Sequence, residues 1–460
     1  MRNWDAQDEA GGDACTADAD LEDARMVGRH LGIPIETVNF SREYWVEVFA
    51  PSMEEFARCR TPNMDVACNR FIKFDAFRAH ALNRMDADLV ATGHYARTRP
   101  GPGGDWDRPE LIQAEDDNKD QTYFLCAVPS AALAKVSFPL GGLTKPEVRE
   151  LAAEAALPVA QKRESMGVCF VGKRRSWADF LSQYVTPSPG NFVCVDTGEV
   201  MGRHKGVQLY TIGQKSHLDG MSEKYFVAGL DNTTNSVIVA RGASHPALFA
   251  KGLSSLASEF RWVAGSPPAG LFPLTPGRHN PAEAAIEASA GEREKIGAEI
   301  SGRLRCTYRC RHRQELLPCT VELGLSSTSP LELTDGRALD GEGRGAARIG
   351  DRENGSRHKE MRKPPCSNSV LPSAAATTPQ QVSECTAAVN GGAARQKLQV
   401  IVKFDEPAKA ITPGQVVALY KDGVCLGGGP ILRADGHCSP VGVRPQPLPL
   451  PSKMRRRRRS

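Results

Sequence analysis

The stretch FIKFDAFRAHALNRMDADLVATGH, residues 71–94, decides the fold class. Its first part, FIKFDAFRAHALNRM, carries apolar side chains at helical spacing, and ADLVATGH then reads as a buried strand. A helix feeding directly into such a strand is the unit from which parallel sheets are built. The strand ends in Thr92, Gly93 and His94. In open α/β folds that carboxyl edge is where ligands bind, so a glycine and a ligand-competent histidine there form a candidate site. A turn glycine and a solvent-facing histidine fit the same letters.

The same alternation extends outward. Helical spacing runs through LEDARMVGRHLGI from Leu21 and stops at Gly32 and Pro34. IPIETVNF, residues 33–40, reads as a short strand. REYWVEVFAPSMEEFARC follows as an amphipathic helix with Tyr44, Trp45, Val48 and Phe49 on one face. LTKPEVRELAAEAAL is a further helix, with Thr144 as N-cap and Pro146 in the first turn. Beyond about residue 190 the texture becomes all-β: GNFVCVDTGEVMG, VQLYTIG, YFVAGLD and NSVIVAR are short strands between Gly, Asn and Asp turns. A second β region holds RLRCTYRCRHRQELLPCTVEL and resumes as KLQVIVKFDEPAKAITPGQVVALYKDGVCLGGGPIL. Between its halves, about 323–396, there is no Phe, Trp or Tyr; that composition predicts a disordered insertion, with a smaller one near 266–299. The tail, 434–460, is Pro-rich and ends in an arginine run.

Charge excludes one broad class. The 460 residues hold 58 Lys+Arg and 54 Asp+Glu, a net +4 that rules out a uniformly basic nucleic-acid coat but not a local basic face. Residues 433–460 carry +7, whereas the first 23 carry −7. No apolar run approaches the length of a membrane span. The 13 cysteines are odd in number and irregularly spaced, which speaks against a disulfide framework. No CxxC pair occurs, Cys306, Cys310 and Cys319 being the nearest approach, so no structural zinc site is expected. Mostly buried, inert thiols are expected, with one or two reactive ones among them.

Two cysteine segments stand out. In TPNMDVACNRFIKF, residues 61–74, Asp65 precedes Cys68 by three residues just before a helix. A helix N-terminus lowers a thiol pKa, and Asp65 there suits a general base. The plain alternative makes Asp65 an N-cap and Cys68 a small core residue. In ESMGVCFVGKRR, residues 164–175, Cys169 lies between glycines with Lys173, Arg174 and Arg175 beyond it. Those cations favour a thiolate, although a buried cysteine beside a solvated charge run fits equally. DNKDQTYFL adds Lys119, Asp120 and Gln121 ahead of an apolar helix, where capping also explains the aspartate. Neither a Walker loop, a GxGxxG opening a strand–helix unit, HExxH nor GxSxG occurs.

Taken together, MRNWD, CTADADLEDA, NFSREYW, RTPNMDVACNRFIKF, ATGHYAR, KDQTYFL, FPLGGLTKPEVRELA, SMGVCFVG, GRHKGVQLYTIGQ and PGQVVALYKDGVCLGGGPI resemble the tRNA-specific 2-thiouridylase family. The strings are collinear and cover about 1–255, 300–320 and 398–432. The resemblance implies a Rossmann-like α/β PP-loop ATPase domain over 1–188, a central β domain over 189–255 and a β-barrel domain over 256–433, followed by the tail.

It also implies the chemistry. Members of the family adenylate the C2 oxygen of the anticodon wobble uridine with ATP and Mg²⁺, then replace that oxygen with sulfur. By this likeness Cys169 carries the persulfide, Cys68 resolves it through a transient Cys68–Cys169 disulfide, and Asp65 is the acid/base. Met1 and Gly93 match ATP-contacting positions. Asn63, Met64 and Asp65 match the segment facing the target base, with Met64 in place of the usual proline. His94, Lys119, Asp120, Gln121, Arg311, His312 and Gln415 match tRNA-contacting positions, with His312 in place of the usual tyrosine. Expected partners are tRNA and a persulfide donor, either a sulfur carrier or a cysteine desulfurase, and no membrane. The long insertions point to a eukaryotic gene and so to mitochondria, with the cytoplasm as alternative.

One departure bears on activity. The family opens with a strand and an SGGVDS loop that cradles the ATP phosphates, and MRNWD corresponds to a point downstream of it. The expectation is an N-terminally truncated gene product whose downstream catalytic residues are intact. The alternatives are a catalytically inactive tRNA-binding remnant, or a thiol redox protein cycling Cys68 and Cys169.

Overall fold

Helix 41–57 shows how the apolar pattern becomes a core. Tyr44, Val48, Phe49, Met53 and Phe56 recur at helical spacing and are all buried. Between α-helical turns at Ser41–Tyr44 and Ala50–Ala57, residues Trp45–Phe49 adopt a wider π-turn. The extra residue per turn rotates Trp45 off the inward face, so it is 44% exposed rather than buried with its neighbours. It stacks instead on Trp4, with ring centroids 5.7 Å apart.

The computed structural model describes residues 1–4, 16–162, 177–218, 220–271, 302–327 and 396–435. Cys169, with Lys173, Arg174 and Arg175, lies outside the described residues, as do nearly all of the two expected insertions and the arginine tail.

The helix expected from residue 71 begins earlier. Pro62 cannot donate a backbone hydrogen bond, and Asn63 Oδ1 accepts the Val66 N–H at 3.2 Å, so the helix is capped at Asn63 and runs over 64–84. Its middle, Cys68–Phe77, is π-helical. Cys68 therefore lies one turn inside the helix rather than at its N-terminus, and the dipole argument weakens because that field is strongest in the first turn. The expected strand 33–40 is reduced to a single parallel bridge between Arg2 and Asn39. Pro34 has no N–H, and Ile33 and Ile35 are exposed, so only the end of the segment finds a ladder partner among the described residues.

The strand read at 87–94 forms as Val90–Ala91 and pairs in parallel with Val136–Ser137, Val90 opposite Val136. The helix Lys145–Glu154 starts as expected: Thr144 and Glu147 form a reciprocal capping box, and Pro146 sits in the first turn.

The β-rich half contains two sheets. The four-stranded one runs in the order Val200–His204, Gly190–Cys194, Ser236–Arg241, Tyr225–Asp231 around Phe192, Val227, Val237 and Val239. The next strand, Phe249–Leu256, pairs with Gln396–Lys409 instead, so the central β module ends at Arg241 and not near 255. That strand belongs to a ten-stranded sheet, which also includes Arg303–Arg309, Leu317–Ser327, Val416–Lys421 and Val424–Pro430. The hairpin Arg97–Gly101/Asp105–Ile112, from the α/β part of the chain, extends the same sheet, with Cys425 opposite Leu111. One apolar cluster consequently joins Leu111, Leu125 and Val128 to Val416, Tyr420 and Cys425.

Candidate active site

The helix 64–84 carries most of the chemistry. Asp65 is half-buried in its first turn, and burial pushes its carboxyl above the usual carboxylate range while Lys73 pulls it back. One turn on, Cys68 is only 3% exposed and its sulfur accepts the Asn3 side-chain amide at 3.7 Å. Asn69, also buried, donates to the Phe124 carbonyl at 3.0 Å and so anchors the helix to the segment after Gln121.

Beside this helix is a cavity of about 350 Å³, lined by Met1, Lys73, Phe77, Gly93, His94 and Gln121 among others. It lies at the carboxyl end of Val90–Ala91, where the sequence places the ligand edge. Gly93 has open space around it, since an added Cβ would first meet Leu140 at 3.8 Å. His94 packs on Phe74 at 5.5 Å between ring centroids, and burial followed by Lys73 depresses its pKa to about 3, so the ring is neutral. Thr92 Oγ1 lies 2.5 Å from His94 Nδ1 and accepts the His94 backbone N–H at 3.2 Å. Gln121 is fixed through Oε1, which accepts the Tyr95 N–H at 2.9 Å.

The barrel closes the other flank. Gln415 Nε2 donates to the Thr61 carbonyl at 2.9 Å, and Thr61 N–H donates to Pro413 O at 2.9 Å. Between them Gly414 has φ +88°, and a Cβ there would come within 2.7 Å of Thr61 N, so glycine is required. Asn63 Nδ2 approaches Tyr123 Oη at 3.4 Å, and that hydroxyl donates toward the carbonyls of Cys310 and Val416 at 3.0 and 3.1 Å. Arg311 and His312 follow directly. Arg311 is exposed, with its guanidinium on the Ala410 carbonyl, and the half-buried His312 ring sits 4.6 Å from Phe124. Burial, then Arg313, holds the His312 pKa below its usual value.

Among the curated proteins similar to this chain is the mitochondrial tRNA-specific 2-thiouridylase 1 of Homo sapiens, 39% identical over 348 residues, covering 71% of this chain and 75% of that protein. The Danio rerio counterpart is 38% identical over 348 residues, 71% of this chain and 76% of that protein. The tRNA-specific 2-thiouridylase of Stutzerimonas stutzeri is 36% identical over 441 residues, 95% of this chain and 87% of that protein. The chain belongs to the tRNA-specific 2-thiouridylase family. Three family models match it in order: a tRNA methyl transferase HUP domain over residues 1–173, a tRNA methyl transferase PRC-barrel domain over 178–241, and an aminomethyltransferase beta-barrel domain over 377–431. The fold class is therefore the one read from the sequence, a Rossmann-like α/β domain followed by two β-rich domains.

Within this family frame, the structure gathers Met1, Gly93, His94 and Gln121 at one cavity, and links Asn63, Arg311, His312 and Gln415 across the barrel contact. Lys119 is half-buried on the adjoining turn, its N–H on Asp116 O at 3.0 Å. Two residues expected to contact tRNA have buried side chains. The Asp120 carboxylate is wholly buried, held by Arg309 at 2.9 Å, by the Thr122 hydroxyl and by the Ala114 and Thr122 backbone amides. The Met64 side chain, 5% exposed, packs in the helical core with Phe40, Tyr44 and Phe56. Sequence reasoning missed Lys73, Tyr123 and Asn3. Lys73 had one signal: it falls eight residues after Asp65, two turns along the same helix.

Of the eight described cysteines, all but Cys59 are buried. Burial pushes the Cys126 and Cys310 thiols up to about 12, which makes them inert at neutral pH.

Proposed function

We propose that this chain is a tRNA uridine 2-sulfurtransferase that adenylates the C2 oxygen of the wobble uridine and then replaces it with sulfur. The observation that carries the reading is the placement of Asp65 and Cys68 on a helix that also walls the cavity holding Met1 and Gly93. A nucleotide-sized cavity, a carboxyl with a raised pKa and a thiol on one element suit activation followed by thiol chemistry.

The cavity fits the adenosine end of ATP: Met1 and Phe77 offer an apolar wall, the bare Gly93 backbone permits close approach, and Gln121 supplies polarity. Mg²⁺ would be held largely by the nucleotide's own phosphates and by waters, and would neutralise their negative charge. Asn63, Gln415, Arg311 and His312 position the target nucleotide against Asp65, with His94, Gln121 and Lys119 beside it; neutral rings suit base contact and Arg311 suits phosphate. The uridine O2 attacks the α-phosphorus, the bond to pyrophosphate breaks, and Asp65 takes the proton lost from the base. The terminal sulfur of a Cys169 persulfide attacks C2, and AMP departs with the C–O electron pair. Cys68 thiolate then attacks the inner sulfur, forming a Cys68–Cys169 disulfide and freeing the 2-thiouridine; an external thiol reduces the disulfide. A sulfur-carrier protein or cysteine desulfurase recharges Cys169. The mitochondrial names of several relatives support a mitochondrial location.

The test is incubation of the full chain with tRNA, MgATP and a persulfide donor, with 2-thiouridine read by mass spectrometry and AMP by chromatography. Thiolation lost in Cys68→Ser and Asp65→Asn is the expected result. tRNA binding without AMP or 2-thiouridine from the unmodified chain overturns it in favour of a tRNA-binding protein.

A further inference from the structure

We infer that Lys73 binds the phosphate of the adenylyl group, at the border between the nucleotide cavity and Asp65. The inference rests on the nucleotide reading of that cavity given above. Lys73 lines the cavity alongside Gly93 and His94. It comes from the same helix as Asp65, and its positive field reaches both the Asp65 carboxyl and the His94 ring. Lys73 is a half-buried residue, and its ammonium has neither a hydrogen bond nor an ion pair with any described residue. His94, neutral, gives it no countercharge. A cation that lines a cavity without a bonded anion offers its charge to that space, where a phosphate fits.

The apolar side of the cavity, Met1 and Phe77, suits a base or ribose, which leaves the Lys73 side for phosphate. The phosphorus attacked by the uridine oxygen must lie between the nucleotide and Asp65. Among the described residues, Lys73 is the cation that lines the cavity and reaches Asp65 with its charge. There it takes the negative charge of the non-bridging oxygens as the bond from the uridine oxygen to phosphorus forms and the bond to pyrophosphate breaks, and again when AMP leaves. As a point charge on a flexible stem, lysine can follow the phosphoryl group through both steps.

Adenosine and AMP differ only in the phosphate, so their affinities for the full chain, measured by equilibrium dialysis, isolate the contact. The chain should bind AMP at least about tenfold more tightly than adenosine, the margin of one charge-assisted hydrogen bond. Lys73→Met should erase that margin while leaving adenosine affinity unchanged, which also shows that the cavity is intact, and Lys73→Arg should keep most of it. A margin retained in Lys73→Met overturns the inference and leaves the nucleotide reading standing. Loss of adenosine binding in Lys73→Met makes Lys73 a structural residue and overturns it too. If the unmodified chain binds neither compound, the nucleotide reading itself falls.

Discussion

Asp120 with Arg309 and Asp65 with Lys73 are both carboxylate–cation pairs, and they are built in opposite ways. Asp120 is sealed: its oxygens take Arg309, Thr122 and backbone N–H groups, and both side chains are nearly without solvent contact. Asp65 and Lys73 feel each other's charge but do not bond, and Lys73 lines the cavity. A carboxylate whose acceptor sites are all filled holds a fold together. One that is desolvated but incompletely satisfied keeps a raised pKa and a capacity to exchange a proton. Sequence identity does not separate the two; the number of partners does.

The comparison breaks most severely at Asp65. Asp65→Asn should lower tRNA-dependent AMP formation by about 10²–10⁴-fold, the usual worth of a positioned acid or base. The same variant should melt no lower than the unmodified chain. Because the folded pKa lies above the unfolded one, the fold binds the proton more tightly, and that stabilisation is lost as pH rises through the raised value. At neutral pH the amide removes this penalty, and a melting curve alongside the AMP assay checks both halves.

At the sealed pair the expected effects reverse. Arg309→Met leaves the Asp120 charge buried alone and should destabilise the fold by about 3–5 kcal/mol in denaturant titration, whereas Arg309→Met with Asp120→Asn should recover much of the loss. A stability unchanged by Arg309→Met would mean that the pair is not structural. Smaller is the coupling between the halves of the open pair. Removing the Lys73 charge should raise the Asp65 pKa further, so the acid limb of kcat/KM for Lys73→Met should move to higher pH, and a limb that stays in place would sever the two residues. Smallest is Gln415→Ala, which deletes one hydrogen bond to Thr61 worth about 1 kcal/mol and should raise KM for tRNA several-fold with kcat little changed.

The helices and the ligand edge were legible because their signals are periodic or chemical. Tyr44, Val48 and Phe49 repeat as a helix must, and Thr144 is a cap residue in a cap position. What escaped depended on distant partners. Asp120 looked like a cap or an RNA contact because Arg309, which claims it, is 189 residues away in sequence. Trp45 left its predicted face because a π-turn changes the period that the pattern assumes. Lys73 resembled any solvated lysine until the cavity appeared beside it. The boundary near 255 failed because a strand's sheet is set by its neighbours and not by its own residues.

The hairpin Arg97–Ile112 lies in the HUP match by sequence yet completes a barrel sheet by hydrogen bonding. It makes the protein resistant to dissection. Cutting near residue 188 would strip a neighbour from Val424–Pro430, bare a sheet edge and split the cluster that joins Leu111 to Tyr420. A barrel transplanted from a relative would dock faithfully only if that hairpin travelled with it.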